Sequence, residues 1–435
     1  MSVSSVREVA EAAKRASRSL ASLDEAKRNR VLEAMASSLE ESATELFTAN
    51  QQDMQHSTAR SADDALPAST LSRLKLSEDK LHQMVEQVRS VASLPDPLNR
   101  KLDAIELDEG LNLERISVPL GVLAVIFEAR PDAVTQITSL AIKSGNAVIL
   151  KPGREVEHTA KAIVRVLRNT LASEGIPEDA ISLVPGREAV TELLAMHDLI
   201  DMVIPRGSKS LVEFVQANTR IPVLGHSEGI CHIYVDRAAD QELSLRVIDD
   251  AKLDYPAACN AVETVLVHRE IAQEFLPKLL RSLRERGVIV HGDEQVRAVN
   301  DEVQPVAAWH REYGEPEIAV GVVDSLDATI EHIHKHGSAH TESILTEDTS
   351  AAEKFLREVD AAGVFHNAST RFADGFRYGF GAEVGISTSK LHARGPVGLE
   401  GLTTYKYVLR GHGHIAGDYR GSNARAFTHR REAKR

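Results

Sequence analysis

The stretch that most constrains this chain is Gly121–Phe127, which reads GVLAVIF without a polar residue. A strand with one wet face alternates apolar and polar side chains. A run that is apolar at every position must be covered on both faces, as in a parallel sheet flanked by helices. The rhythm then repeats. A helical stretch from Asp132 ends at Gly145, a residue suited to a left-handed cap, and Ala147–Leu150 is the next strand. A long helical segment runs to Gly175, followed by strands near Ile181–Val184 and Met202–Ile204, a helix from about Lys209, and strands near Ile221–Leu224 and His232–Val235. A second series extends from about 238 to 366, with strands at Thr264–His268, Val288–His291, Ala319–Val323 and Val364–His366. Repeated βα units of this length predict an α/β protein with doubly wound parallel sheets.

The flanking segments read differently. Residues 1–95 are helical in pattern, with Ser22-Leu23-Asp24-Glu25 as a capping box and Val31, Met35 and Leu39 on one apolar face. Between 103 and 119 short, roughly alternating apolar positions surround Glu109-Gly110, which predicts a β-hairpin or protruding arm.

Composition excludes several classes of function. The chain has 435 residues, enough for about three domains at roughly 150 residues each. A net charge of −13 argues against nucleic-acid binding, which needs a basic surface to neutralise phosphates. No apolar run approaches the roughly 20 residues of a membrane span, and the amino-terminal MSVSSVREVAEAAKRASRSL reads as a helix rather than a signal peptide. Two cysteines, Cys231 and Cys259, make no disulfide framework, so a reducing, cytoplasmic setting is expected.

A doubly wound sheet invites a nucleotide fingerprint, and none is present. Gly379-Phe380-Gly381 and Gly411-His412-Gly413 lack the third spacing and do not sit between a strand and a helix. No phosphate-binding P-loop occurs either. Any dinucleotide is therefore held in an uncommon way.

Cys259 lies in Asp254-Tyr255-Pro256-Ala257-Ala258-Cys259-Asn260. Pro256 and the small alanines end a helix and leave a sterically open turn, where a thiol can be reached and activated. A plain buried cysteine is the alternative, and Cys231, opening the apolar CHIYV, is read that way. The histidine run His332, His334, His336 and His340 has only two pairs at helical spacing and no acidic or thiol partner in register, so no metal is expected.

YPAACNAVET, VPLGVLAVIFEARPDAVTQITSLAIKSGNAVILKPG and GAEVGISTSKLHARGPVGLEGLTTYKYVLRG together resemble the γ-glutamyl phosphate reductases, a branch of the aldehyde dehydrogenase superfamily. The likeness runs from about residue 5 to 413. LGHSEGICHIYVD is similar to the reductase half of the pyrroline-5-carboxylate synthases, without room for their kinase half. The resemblance implies an NADP-binding domain over 1–102, 120–235 and about 368–400, and a catalytic domain over 236–367. It also implies an oligomerisation arm over 103–119 and about 401–413. The tail over 414–435, rich in Arg and His, lies outside the likeness and is expected to be partly disordered.

It further implies NADPH-dependent reduction of L-glutamyl 5-phosphate to L-glutamate 5-semialdehyde, the second step of proline biosynthesis. Cys259 would form a thioester, with its own amide and the Asn260 region as oxyanion donors. The substrate would come from glutamate 5-kinase, and the protein would be a homo-oligomer. Arg130 stands where the superfamily has an asparagine near the oxyanion. It suits a phosphate by its planar fork, or else pairs with Glu128 or Asp132. Lys390, His392 and Arg394 form a basic element suited to substrate anions, of which Lys390 and Arg394 are expected to bind substrate. Lys151, Pro152 and Arg154 follow the second strand where the adenosine ribose and its 2′-phosphate would lie. Gly207 and Ser208 open the helix that would receive the pyrophosphate. Glu312 matches by spacing a ribose-binding glutamate, although a solvated surface glutamate fits as well.

Two competitors are weaker. A hydrolytic aldehyde dehydrogenase needs a carboxylate base, and that position falls on Val223, which cannot accept a proton. A non-catalytic metabolite-binding relative would have no use for the intact cysteine turn.

Overall fold

A computed structural model describes residues 5–58 and 68–431. It divides into two compact units. The first holds residues 1–224, 380–384 and 397–435, and the second holds 225–379 and 385–396.

In the first unit, helices α1 (Val6–Leu20), α2 (Glu25–Glu41), α3 (Ala43–Thr58), α4 (Ala68–Leu74) and α5 (Glu78–Ser93) precede any core strand. The capping box lies at Ser5 and Glu8, which cap α1 reciprocally, not at Ser22 and Glu25. The chain is still turning off α1 as far as Leu23, whose amide donates to the Leu20 carbonyl. Asp24 is thus the first extended residue, and it caps α2 through the Lys27 amide.

Strands β1 (Lys101–Asp108) and β2 (Leu111–Pro119) form the expected hairpin. There follow β3 (Val122–Phe127), α6 (Pro131–Lys143), β4 (Ala147–Pro152), α7 (Glu157–Ser173), β5 (Ile181–Leu183), α8 (Glu188–Ala195), β6 (Met202–Arg206) and α9 (Lys209–Ala217). The core sheet runs β5-β4-β3-β6, all parallel. Every residue of β3 and β4 is buried, as continuous apolar runs demand. The expected strand at Ile221–Leu224 is only a single bridge from Val223 to Val203.

The second unit contains β7 (Cys231–Val235), α10 (Gln241–Leu253), β8 (Val262–His268), α11 (Arg269–Glu285), β9 (Ile289–Gly292), α12 (Glu294–Val299), β10 (Gln304–Pro305), β11 (Glu317–Val323), α13 (Leu326–His336), β12 (Thr341–Leu345), α14 (Thr349–Glu358) and β13 (Gly363–His366). Its sheet runs β10-β9-β11-β8-β7-β12-β13. Two expected boundaries move. β7 pairs with β8 and β12, so the division falls after Leu224 and not at 235. Residues 368–379 and 385–396 also belong to this second unit, the latter carrying the short pair β14 (Ile386–Ser387) and β15 (Gly395–Pro396).

The chain closes in the first unit with β16 (Thr403–Arg410) and β17 (Arg430–Arg431), which flank the hairpin in the order β16-β2-β1-β17. The tail over 414–431 packs onto this arm; residues 432–435, on which the expectation of partial disorder also falls, lie outside the described residues. Asp108 accepts from Tyr419 Oη at 2.9 Å and pairs with Arg425, while Phe427 stacks between Tyr419 and His429.

Candidate active site

In the second unit, helix α10 ends and the chain makes a tight turn over 255–261. The Ala258 amide donates to the Tyr255 carbonyl at 3.0 Å and the Ala261 amide to that of Ala258 at 2.9 Å. The turn is clamped at both ends by one guanidinium. Arg371 donates through Nε to Asp254 at 3.0 Å and through its terminal nitrogen to Asn260 Oδ1. Arg377 adds a second contact to Asp254 at 2.9 Å, and together they hold its carboxyl below the usual carboxylate range. Asn260 Nδ2 donates to the Ala373 carbonyl at 2.8 Å. The Asn260 side chain, expected among the oxyanion donors, is therefore committed to holding the turn. The Cys259 amide has no hydrogen-bond acceptor among the described residues, so it keeps the donor role open.

Cys259 is half-buried. Gly229 passes so close beneath it that a β-carbon there would lie 1.9 Å from the Cys259 carbonyl oxygen, so no larger residue is tolerated. Beside the thiol stand two imidazoles that sequence reading missed. Cys259 Sγ, a ring nitrogen of His226 and a ring nitrogen of His340 all lie within 4.8 Å of one another. His226 donates through Nδ1 to the Ile386 carbonyl at 2.8 Å; since a carbonyl only accepts, that nitrogen carries a proton. His340 is fully buried, with Nδ1 on Thr341 Oγ1 at 2.9 Å and Nε2 without a partner. Cys231 fits its bland reading: it is fully buried, burial pushes its thiol pKa up, and it donates to the Cys259 carbonyl at 3.4 Å.

The histidine run is split by the fold. His332 and His336 share a face of α13, with rings 4.7 Å apart, and burial drives His332 down to a pKa of about 3. Gly337 ends the helix in an extended conformation, and His340 leaves it to reach Cys259.

Behind the turn, Lys252 of α10 and Glu263 of β8 form a buried ion pair at 2.9 Å. Burial outweighs the lysine's attraction and raises Glu263 to about 7. Glu263 also accepts from the Gly314 amide at 3.2 Å, anchoring the loop that carries half-buried Glu312. The next residue, Tyr313, stacks on His291 at 4.9 Å. Lys390 and Arg394 converge as expected, but on Asp360, which accepts from Arg394 at 2.8 Å and is held at about 2. A substrate anion must displace that carboxylate to use them.

In the first unit, the β3–α6 turn carries Ala129 at φ +44°, buried and in the left-handed region, where a residue with a β-carbon is strained. Its amide donates to Glu155 Oε1 at 2.7 Å. Arg130 follows as the N-cap of α6 without a side-chain capping bond. Among the described residues it pairs with neither Glu128 nor Asp132; Glu128 is engaged by the Ser208 amide at 2.7 Å and Asp132 by Lys80 at 3.3 Å.

Lys151, the last residue but one of β4, is buried with its Nζ on the Pro152 carbonyl at 2.6 Å, and burial lowers its pKa. Arg154 is exposed. Gly207 and Ser208 open α9, and the seat at that helix end is held by the Glu128 carboxylate; a β-carbon on Gly207 would meet it at 2.3 Å. A carboxylate accepting from an amide at a helix N-terminus marks a seat for an anion. A glycine at such a seat suits the diphosphate of a dinucleotide.

Residues 1–304 match the aldehyde dehydrogenase family. A γ-glutamyl phosphate reductase of Synechococcus sp. (strain WH7803) is 53% identical over 96% of this chain and 95% of its own. γ-Glutamyl phosphate reductase 1 of a Synechocystis strain is 50% identical over 98% of both. Among solved structures, the γ-glutamyl phosphate reductase of Thermotoga maritima superposes with a TM-score of 0.92 at 39% identity, covering 95% of this chain and 100% of that one. The glyceraldehyde-3-phosphate dehydrogenase GapN of Methanocaldococcus jannaschii, complexed with NADP, shares the fold at 15% identity and a TM-score of 0.66, covering 94% of both chains.

Proposed function

The chain belongs to the γ-glutamyl phosphate reductases of the aldehyde dehydrogenase family, and on that premise we propose that it reduces L-glutamyl 5-phosphate to L-glutamate 5-semialdehyde through a Cys259 thioester. In biosynthesis this is the second step from glutamate to proline, after a glutamate 5-kinase. The observation that carries the reading is Cys259 itself, half-buried on a clamped turn with an uncommitted amide and flanked by two imidazoles.

The Cys259 thiolate attacks the acyl carbon of the acyl phosphate. The C–S bond forms first, placing the carbonyl electron pair on oxygen; as the carbonyl re-forms, the C–O bond to phosphate breaks and phosphate leaves with its electron pair. The Cys259 amide is assigned to the oxyanion of the tetrahedral stage, where a donor is typically worth about 10²–10³ in rate. When bound, NADPH would supply a hydride to the thioester carbonyl carbon, and the Cys259 amide would hold the hemithioacetal oxyanion that results. The Cys259 thiolate is then expelled as the aldehyde carbonyl forms. Arg130, with its phosphate-matching fork, is assigned to the substrate. Lys390 and Arg394 are assigned to the same substrate's charged groups, in exchange with Asp360. Lys151, Pro152, Arg154, Gly207 and Ser208 are assigned to NADPH, with Glu128 yielding the α9 seat to the diphosphate. Glu312 is assigned to the nicotinamide ribose.

The test is a reductase assay that follows loss of NADPH absorbance together with phosphate release. Cys259→Ala is expected to abolish turnover while NADPH still binds. Near wild-type turnover of that variant would overturn the mechanism.

A further inference from the structure

The pairing of a reachable thiol with two imidazoles has a second chemistry. We infer that Cys259, His226 and His340 form a zinc-capture site, in which one Zn²⁺ ties up the nucleophile and reversibly stops the enzyme.

The donor set is the first argument. One thiolate and two imidazoles are ligands that zinc takes in both structural and open sites. All three ligand atoms lie within 4.8 Å of one another. Zinc bonds of about 2.3 Å to sulfur and about 2.0–2.1 Å to nitrogen require them to close by roughly 1 Å. Side-chain rotation of the half-buried Cys259 can supply that.

His340 provides an independent observation. Its ring is fully buried, Nδ1 is spent on Thr341, and Nε2 has no partner. A buried polar atom left unpaired costs free energy that a ligand can recover. His226 supplies the third. Its Nδ1–H on the Ile386 carbonyl is the outer contact that fixes the tautomer and orients a metal-bound imidazole. The partial exposure of Cys259 gives the ion an entry path and leaves the fourth position for water or a small anion.

On binding, the Cys259 thiol loses its proton to solvent as the Zn–S bond forms, and both imidazoles bind neutral. The sulfur lone pair that would attack the acyl phosphate is then committed to the metal. That blockade rests on the reading of Cys259 as the nucleophile, whereas metal capture does not.

The experiment uses the full-length protein and Zn²⁺ or Co²⁺ alone. Zn²⁺ is expected to bind one per chain and to slow iodoacetamide alkylation of Cys259 at least tenfold, with chelator restoring the rate. Co²⁺ is expected to give the intense visible bands of a tetrahedral site and a thiolate charge-transfer band. Cys259→Ser removes that band, while Cys231→Ser keeps it. His340→Gln and His226→Gln are each expected to weaken Zn²⁺ at least tenfold, with folding verified by thermal melting. Octahedral Co²⁺ without the thiolate band in the wild-type protein, or unchanged alkylation under saturating Zn²⁺, overturns the site whatever the variants do. If Zn²⁺ shields Cys259 while Cys259→Ala still turns over, the zinc site stands and the thioester mechanism falls.

Discussion

The two halves of the chemistry are built in opposite ways. The candidate cofactor corner in the first unit draws on three short backbone stretches: the Glu128–Arg130 turn, the end of β4 and the start of α9. The groups assigned there are glycines, a helix-end amide and one buried lysine, and the Glu128 carboxylate occupies the α9 N-terminus. The candidate nucleophile corner in the second unit gathers side chains from residues 226, 254, 259, 260, 340 and 371, and hydrogen bonds among Asp254, Asn260 and Arg371 fix the turn itself. A bound anion can be held by adaptable, exchangeable contacts. A reacting sulfur cannot, because a displacement of about 1 Å costs on the order of 10²-fold in rate.

That contrast predicts intolerance in the second unit and graded effects in the first. The largest expected effect is on the buried pair behind the turn. Lys252→Met leaves Glu263 buried without its partner and is expected to cost about 3–5 kcal/mol, read as a lowered urea midpoint. A loss below about 1 kcal/mol would mean that the nucleophile corner is softer than its contacts suggest. Next, Arg371→Ala removes the clamp shared by Asp254 and Asn260 and is expected to lower kcat about 10²-fold with a smaller change in KM. A variant that changes only KM would place Arg371 with the substrate instead.

In the first unit the effects are smaller. Lys151→Met is expected to raise KM for NADPH about 10- to 100-fold, the size of one hydrogen bond to a charged group, and to leave KM for NADH nearly unchanged. Equal effects on both cofactors would show that Lys151 does not read the 2′-phosphate. Glu128→Gln is expected to do the reverse of damage. Removing a negative charge that competes for the α9 N-terminus lowers KM for NADPH about 2- to 5-fold. A raised KM would mean that Glu128 positions the loop rather than guarding it.

The same contrast explains what was legible in the sequence. Gly121–Phe127 announced a two-faced buried strand because its apolar run is local and continuous. Cys231–Val235 carries the same pattern, and local pattern cannot say which of two parallel sheets claims it; pairing with β8 and β12 decided that. The three residues Ile221, Val223 and Leu224 were apolar enough for a strand but found only one bridge. The carboxyl-terminal tail has no hydrophobic periodicity, and its order comes from ring stacking and contacts to Asp108. Cys259 was legible because its turn is contiguous in sequence. His226 and His340 were not, because they lie far from it along the chain and meet it only in the folded sheet. Asn260 was read as an oxyanion donor because nothing local showed that Arg371 would take its side chain.

The central claim is that Cys259 carries an acyl group that phosphate, and not water, removes. The direct measurement runs the reaction backwards, with glutamate 5-semialdehyde and NADP⁺ in phosphate-free buffer, following NADPH formation. With Val223 in place of a carboxylate base, the account predicts a burst of about one NADPH per chain followed by a slow residual rate. Sustained turnover should return when phosphate or arsenate is added. Rapid, sustained NADPH formation without either anion would contradict it.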